Sequence, residues 1–243
     1  MFLAWIAVFS QTATADTLGP FGTISVIEMP RAEPLHDGLL ATTLSIQPNT
    51  TKNTLTFQAT SRLNFALRYS KISDLDLTTQ GREDRYDRSF DVSYLIFTQR
   101  DFRPAIAIGF RDIGGTGIYS GEYIVAEKTL SKRVTTTVGI GWGRFAGRGQ
   151  FTNPLSILDD KFESRPDATQ GGLQASGQLD AGSWFRGDAA LFGGIVYTAS
   201  KRLRFALEYS SDAYLNEQQA GHGVPKSPIN GAVSFAWSDN VEI

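Results

Sequence analysis

The sequence predicts an all-β protein, an antiparallel up-and-down β-barrel of the outer-membrane type with about ten strands, complete or lacking its closing strands. Three observations carry this. Large apolar residues alternate with small or polar ones at period two through much of the 243-residue chain. Short and long connections alternate between these segments. A nonamer, RLNFALRYS at 62–70, nearly recurs as RLRFALEYS at 202–210, with seven of nine positions identical.

The chain opens on a short apolar run, FLAWIAVF at 2–9, followed by Ala13-Thr14-Ala15 before Asp16. That is an A-x-A cleavage pattern, so residues 1–15 are expected to be a signal peptide, atypical because only the terminal amine is positive. The run is too short to span a bilayer as a helix, which takes roughly 20 residues. A buried first strand is the alternative reading.

The nonamer gives the strand logic. Phe65, Leu67 and Tyr69 alternate with Asn64, Ala66, Arg68 and Ser70. Leu203, Phe205, Leu207 and Tyr209 alternate with Arg204, Ala206, Glu208 and Ser210. Each copy follows a polar turn, Thr60-Ser61 and Ser200-Lys201, so the two read as equivalent strands. The same alternation recurs in Phe90, Val92, Tyr94 and Ile96, in Ile106, Ile108 and Phe110, in Val134 to Trp142, and in Val233, Phe235 and Trp237. The opposite faces hold Gly, Ala, Ser, Thr and a few charges. Such faces make a poor solvated surface but suit the inside of a barrel whose large residues face lipid. A soluble β-sandwich shares the period and is the rival fold.

Connections near 61–63, 98–103, 130–133 and 199–202 are short, as periplasmic turns are. Those at 48–53, 73–85, 113–119, 145–183 and 212–227 are mostly longer, as extracellular loops are. Tyr69, Tyr86, Tyr119, Tyr123, Trp142, Trp184 and Tyr209 fall near the long-loop ends, where an interfacial aromatic girdle is expected.

Composition narrows the chemistry. Charged residues are 20%, hydrophobic residues 41% and net charge −2, which fits neither a disordered chain nor a nucleic-acid binder. No cysteine is present, so disulfides, thiolate metal sites and a lipidated N-terminal Cys are excluded within this sequence. The glycine-rich stretch at 139–149 lacks the P-loop pattern. Its glycines are expected to let a strand bend or approach a plug. The loop at 114–123 reads as a tight hairpin in which glycine supplies positive φ. Only His36 and His222 could serve a Ser-His-Asp arrangement, and neither lies on an expected strand beside a serine. Asp159-Asp160 sit in the long loop, and no metal-ligand spacing is visible. No cofactor is expected. Arg68, Asp87, Asp91, Arg111, Arg204 and Glu208 fall on inward faces, because Arg toward lipid at the midplane costs about 2–4 kcal/mol. They are expected to form a lumenal ion-pair network, with contact to a glycan as the functional alternative. Arg68 and Glu208 are expected in one network with Asp91 or Arg111.

Four stretches carry a family resemblance: FGTISVIEMPRAEPLHDG (21–38), YDRSFDVSY (86–94), GFRDIGGTGIYSGEYIVAEK (109–128) and EYSSDAY (208–214). They resemble the YjbH family of exopolysaccharide-biosynthesis proteins from about Gly19 to Tyr214. The motif residues are Tyr86, Asp87, Arg88, Ser89, Phe90, Asp91, Arg111, Asp112, Gly115, Thr116, Gly117, Tyr119, Ser120, Glu122 and Tyr123. The resemblance implies an outer-membrane barrel of Gram-negative bacteria tied to secretion of extracellular polysaccharide or capsule, with no catalytic residues to carry over. Family members are commonly longer, some are described as lipoproteins, and this sequence ends in WSDNVEI without a terminal aromatic. Residues 16–38 are then an N-terminal plug segment at or inside the periplasmic mouth, and residues 39–243 the barrel domain. The expected role is non-enzymatic. Its partners would be outer-membrane lipid, extracellular polysaccharide and other secretion proteins, with no nucleic acid. The rivals are a barrel enzyme that modifies lipid or glycan and a secreted soluble adhesin or matrix protein.

Overall fold

A computed structural model describes residues 4–9, 18–74, 84–166 and 181–243. The ten expected strands are β2 (Leu40–Gln47), β3 (Thr50–Gln58), β4 (Leu63–Ile72), β5 (Arg85–Phe97), β6 (Ala105–Arg111), β7 (Gly121–Ser131), β8 (Val134–Trp142), β10 (Ala189–Thr198), β11 (Leu203–Tyr209) and β12 (Ile229–Ser238). Beyond these lie β1 (Ala4–Phe9), a strand as in the alternative reading of the first apolar run, and two unexpected two-residue strands, β9 (Gln150–Phe151) and β13 (Val241–Glu242). Together the described strands make one 13-stranded antiparallel sheet. Neighbours in sequence are neighbours in space from β1 to β8, β8 pairs with β10, and β10 with β11. The two nonamers are thus β4 and β11.

β11 pairs with β12, and β12 turns into β13. β13 meets β1 at two residue pairs, Ala7 with Glu242 and Val8 with Val241. Along Ile229–Ser234, β12 has no second paired strand among the described residues. The segment expected within a signal peptide thus lies here as β1, paired with β2 over six residues. Among the described residues no helix is long and apolar enough to cross a membrane, which says nothing of crossing by strands.

Burial along the strands is inverted relative to a water-soluble protein. On β3 the buried side chains are Lys52, Thr54, Thr56 and Gln58, while Leu55 and Phe57 are exposed. On β4 Asn64, Ala66, Arg68 and Ser70 are buried and Leu67 is 55% exposed. On β11 Glu208 is buried and Leu207 is exposed. Val138, Leu191, Val233 and Trp237 continue the outer apolar surface.

The interior is filled by the plug segment. Phe21, Val26, Ile27, Met29, Ala32 and Leu35 are all buried. Met29 and Ala32 join Leu95, Tyr123, Phe145 and Phe192 in one apolar cluster, and Val26 and Ile27 pack with Val196 in another. Inner-face glycines make this packing possible. A Cβ at Gly194 would lie 2.7 Å from the Val26 side chain, and one at Gly139 would lie 2.2 Å from the Phe192 ring. In the loop after β6, Gly117 has φ +81°, as a tight connection requires.

The aromatic girdle needs correction. Tyr69, Tyr86 and Tyr209 are exposed, and Tyr69 stacks on Tyr86 with centroids 5.9 Å apart. Tyr119, Tyr123 and Trp142 are buried instead. Tyr119 meets Phe21 edge-on at 5.4 Å, Tyr123 meets Phe145 at 5.5 Å, and Trp142 meets Phe185 at 5.1 Å. Trp184 is half-buried beside Phe110. Proximity to a loop does not fix which face a ring takes, and the interior needed large side chains to fill it.

Candidate functional site

The inward charges sit where period-two parity puts them. Arg68 and Asp91 form a buried bidentate pair, with Nη1–Oδ2 at 2.8 Å and Nη2–Oδ1 at 3.1 Å. Asp91 also accepts the Asp112 N–H at 2.9 Å. Asp87 accepts hydroxyls from Ser89 and Thr116, each at 2.5 Å. Asp112 in turn accepts the Tyr119 N–H at 3.0 Å. Gly115 packs so closely that a Cβ there would meet Asp112 and the Arg88 carbonyl. Most of the family-motif residues in this region therefore form one structure that ties β5 and β6 to their loop. Glu122 holds the Arg165 guanidinium in two bonds of 2.8 and 2.9 Å, and Arg165 reaches Ser120 at 3.2 Å. Tyr86 and Arg88 face outward, and Phe90 stacks on Phe65 at 5.7 Å.

Burial and, after it, the neighbouring Asp87 push the Asp112 carboxyl up to about 7, against the pull of the Tyr119 N–H. A buried carboxylate beside another carboxylate favours its neutral form.

The other inward charges grip the plug. One Glu208 oxygen accepts three consecutive backbone N–H groups, from Ile27, Glu28 and Met29, at 2.7, 2.9 and 2.9 Å. Arg111 donates to the Glu28 carbonyl at 2.9 Å, and Arg68 donates to the Phe21 carbonyl at 3.2 Å. Glu127 takes Arg31 in a bidentate pair at 2.7 and 2.9 Å. Thr54 donates to Phe21 at 3.2 Å, and Thr56 to Gly22 at 2.5 Å. Arg68 and Glu208 therefore have separate partners, and the plug backbone joins them. Arg204 is only half-buried. The other five, Arg68, Asp87, Asp91, Arg111 and Glu208, are buried.

What is open is a cleft at the long-loop end. It lies, partly open to solvent, between the tip of the β2–β3 hairpin, the loop after β11 and β12. Its charged groups are Glu28, Lys52, Arg144 and Glu217. Glu28 accepts the Tyr214 hydroxyl at 2.5 Å and Gln47 at 3.4 Å. Arg144 pairs with Asp212 at 2.6 Å and Glu217 at 2.8 Å. Burial raises the Glu217 carboxyl, but the Arg144 guanidinium outweighs it and holds the group below its usual range. For Asp212 burial wins over the same guanidinium, and its carboxyl is raised. Sequence reasoning did not single out these cleft residues. Lys52 alone left a signal, a cation at inward parity with Thr54, Thr56 and Gln58. The rest lie on the plug and loops, where no periodicity points.

Among the described residues no serine–histidine arrangement forms around the two histidines. His36 is exposed, and His222 meets the Asp74 carbonyl at 3.2 Å. Asp159 is occupied by Lys161 at 2.9 Å. Among the described residues no group of His, Cys, Asp and Glu could hold a metal ion.

Residues 17–243 match the family model described as "Exopolysaccharide biosynthesis protein YbjH". The chain belongs to this YjbH family. It is also 28% identical over 246 residues to a curated protein of Escherichia coli (strain K12), "Uncharacterized lipoprotein YjbH". That match takes in 98% of this chain but 34% of the relative, so the chain spans about a third of the relative's length. The four stretches that carried the resemblance all fall within the matched residues.

Proposed function

We propose that this chain is a non-enzymatic outer-membrane barrel, in a Gram-negative envelope, that assists the biosynthesis or export of an extracellular polysaccharide or capsule. The inverted burial carries the membrane half of this reading. Leu55, Leu67, Val138, Leu207 and Val233 on five strands are each more than 40% exposed, while Lys52, Arg68, Asp91 and Glu208 are buried. Water would favour the opposite sorting, whereas lipid outside and a polar packed interior favour this one. A soluble sandwich would bury the apolar faces against each other. Serial antiparallel pairing, with β13 reaching back to β1, supports a barrel with a thin seam. The polysaccharide half rests on the family description. The cleft carboxylates of Glu28 and Glu217 are already engaged by donors, which favours binding or scaffolding over acid–base chemistry.

The test is a cell fractionation paired with a deletion. The chain should stay with the outer membrane after carbonate extraction and migrate differently in heated and unheated gels. Deletion should lower extracellular polysaccharide. Recovery in the soluble fraction would overturn the membrane half, and unchanged polysaccharide the other.

A further inference from the structure

We propose that the long-loop cleft is a subsite for an acidic sugar unit, with the Lys52 ammonium taking the sugar's carboxylate. The inference rests on the polysaccharide reading above and adds the class of glycan and the residue that selects it.

Lys52 is 2% exposed, yet it lines an open cleft. Its one polar contact among the described residues is the neutral Gln47 amide oxygen at 2.8 Å. No carboxylate lies within ion-pair distance of it there, whereas Arg31, Arg68 and Arg144 each have one. Arg111, also buried and without one, donates to the Glu28 carbonyl and does not line the cleft. The charges whose fields reach Lys52 are Glu28, Arg68, Arg144 and Glu217, two of each sign. Glu217 is paired with Arg144 and Arg68 with Asp91, while Glu28, the carboxylate with the largest effect on Lys52, is bonded by the Tyr214 hydroxyl and the Gln47 amide. Among the described residues Lys52 is thus a buried cation that lines the cleft with no ion-pair partner of its own. An unpaired buried charge is costly, and a countercharge from outside relieves it.

The surroundings say what should carry that countercharge. The ammonium lies 4.6 Å from the centre of the Phe21 ring, so cation and aromatic face are presented together. Tyr214, Pro48 and Pro225 add apolar wall. A sugar offers C–H faces to such walls and hydroxyls to Asn49, Thr50 and Asn230 at the rim. A bare inorganic anion uses none of this.

The probes are a glucuronate-containing oligosaccharide, neutral maltohexaose and inorganic phosphate, titrated calorimetrically into the full chain in detergent. The acidic oligosaccharide should bind at least about tenfold more tightly than either control. Lys52→Met should remove that preference. Because burial makes Lys52 a risky site to alter, Gly223→Glu is the second variant. A Cβ there meets nothing within 4 Å, so the added carboxylate is accommodated at the cleft rim and should weaken acidic-sugar binding. Equal affinity for the neutral sugar or for phosphate would overturn the proposal. So would an unchanged Gly223→Glu variant, or no binding by the folded chain. Heat-modifiability of the same sample and the deletion phenotype report on the function separately. A membrane-inserted chain that supports polysaccharide production and binds no acidic sugar sinks the subsite alone.

Discussion

Glu208→Ala is the sharpest probe of how the interior is held. The wild-type carboxylate accepts three plug N–H groups through one oxygen and Asn230 through the other at 3.2 Å. Bonds to a charged acceptor are worth about 1.5–3 kcal/mol each, but three sharing one oxygen cannot add fully. Truncation also strands buried donors, so a loss of about 3–5 kcal/mol is expected. Glu208→Gln keeps an oxygen for the plug and should lose about half as much. Urea unfolding in lipid vesicles would measure both. Trypsin cleavage after Arg31, which is now clamped by Glu127, would show whether the plug has loosened. If Glu208→Ala unfolds at the wild-type urea concentration and Arg31 stays protected, the carboxylate does not hold the plug.

Leu67→Arg, at 55% exposure on the outer face, should impair insertion by about 2–4 kcal/mol if it lies near the midplane. Ala66→Arg, next to it, should fail as badly, because Ala66 is fully buried in a filled interior; vesicle folding yields that differ strongly between the two would refute this. Gly139→Val should destabilise the fold, since its Cβ would meet Phe192 at 2.2 Å, and Phe192→Ala in the same chain should restore part of the loss. The folded chain holds the Asp112 proton more tightly than the unfolded chain does, so this group's contribution to stability should fall as pH rises from about 4 to about 7. Asp112→Asn should flatten that slope in urea titrations, and an unchanged slope would show that another group sets it.

Much of this was legible in the residues, and the reasons are specific. Period-two parity located ten strands and put Arg68, Asp91, Arg111 and Glu208 on the buried face, because successive strand residues point to opposite faces of the sheet. Parity says nothing about partners, however. Arg68 and Glu208 were expected in one network, but what each bonds depends on the route of residues 18–38, which have no repeat to read. The same gap misplaced Tyr119, Tyr123 and Trp142. Their buried faces are set by Phe21, Phe145 and Phe185, all outside the strands or on the plug. The cleft was invisible for a like reason: Glu28, Arg144 and Glu217 meet through loops with no period. β1 reads as a targeting segment because six apolar residues suit a signal peptide and a strand equally.

The grip of Glu208 on Ile27, Glu28 and Met29 also orders events in time. These contacts join residues about 180 positions apart. Loop closure on that scale is slow, and contacts so distant in sequence form late. Residues 18–38 are made early, yet their main carboxylate clamp arrives only with the second nonamer. Until then residues 18–38 are held through β3 to β7, by the bonds of Thr54, Thr56, Arg68, Arg111 and Glu127 to their backbone. An assembly intermediate halted before β11 should therefore carry an N-terminal segment fastened on one side only, its Ile27 to Met29 N–H groups still open to proteases and to folding factors that recognise extended chain.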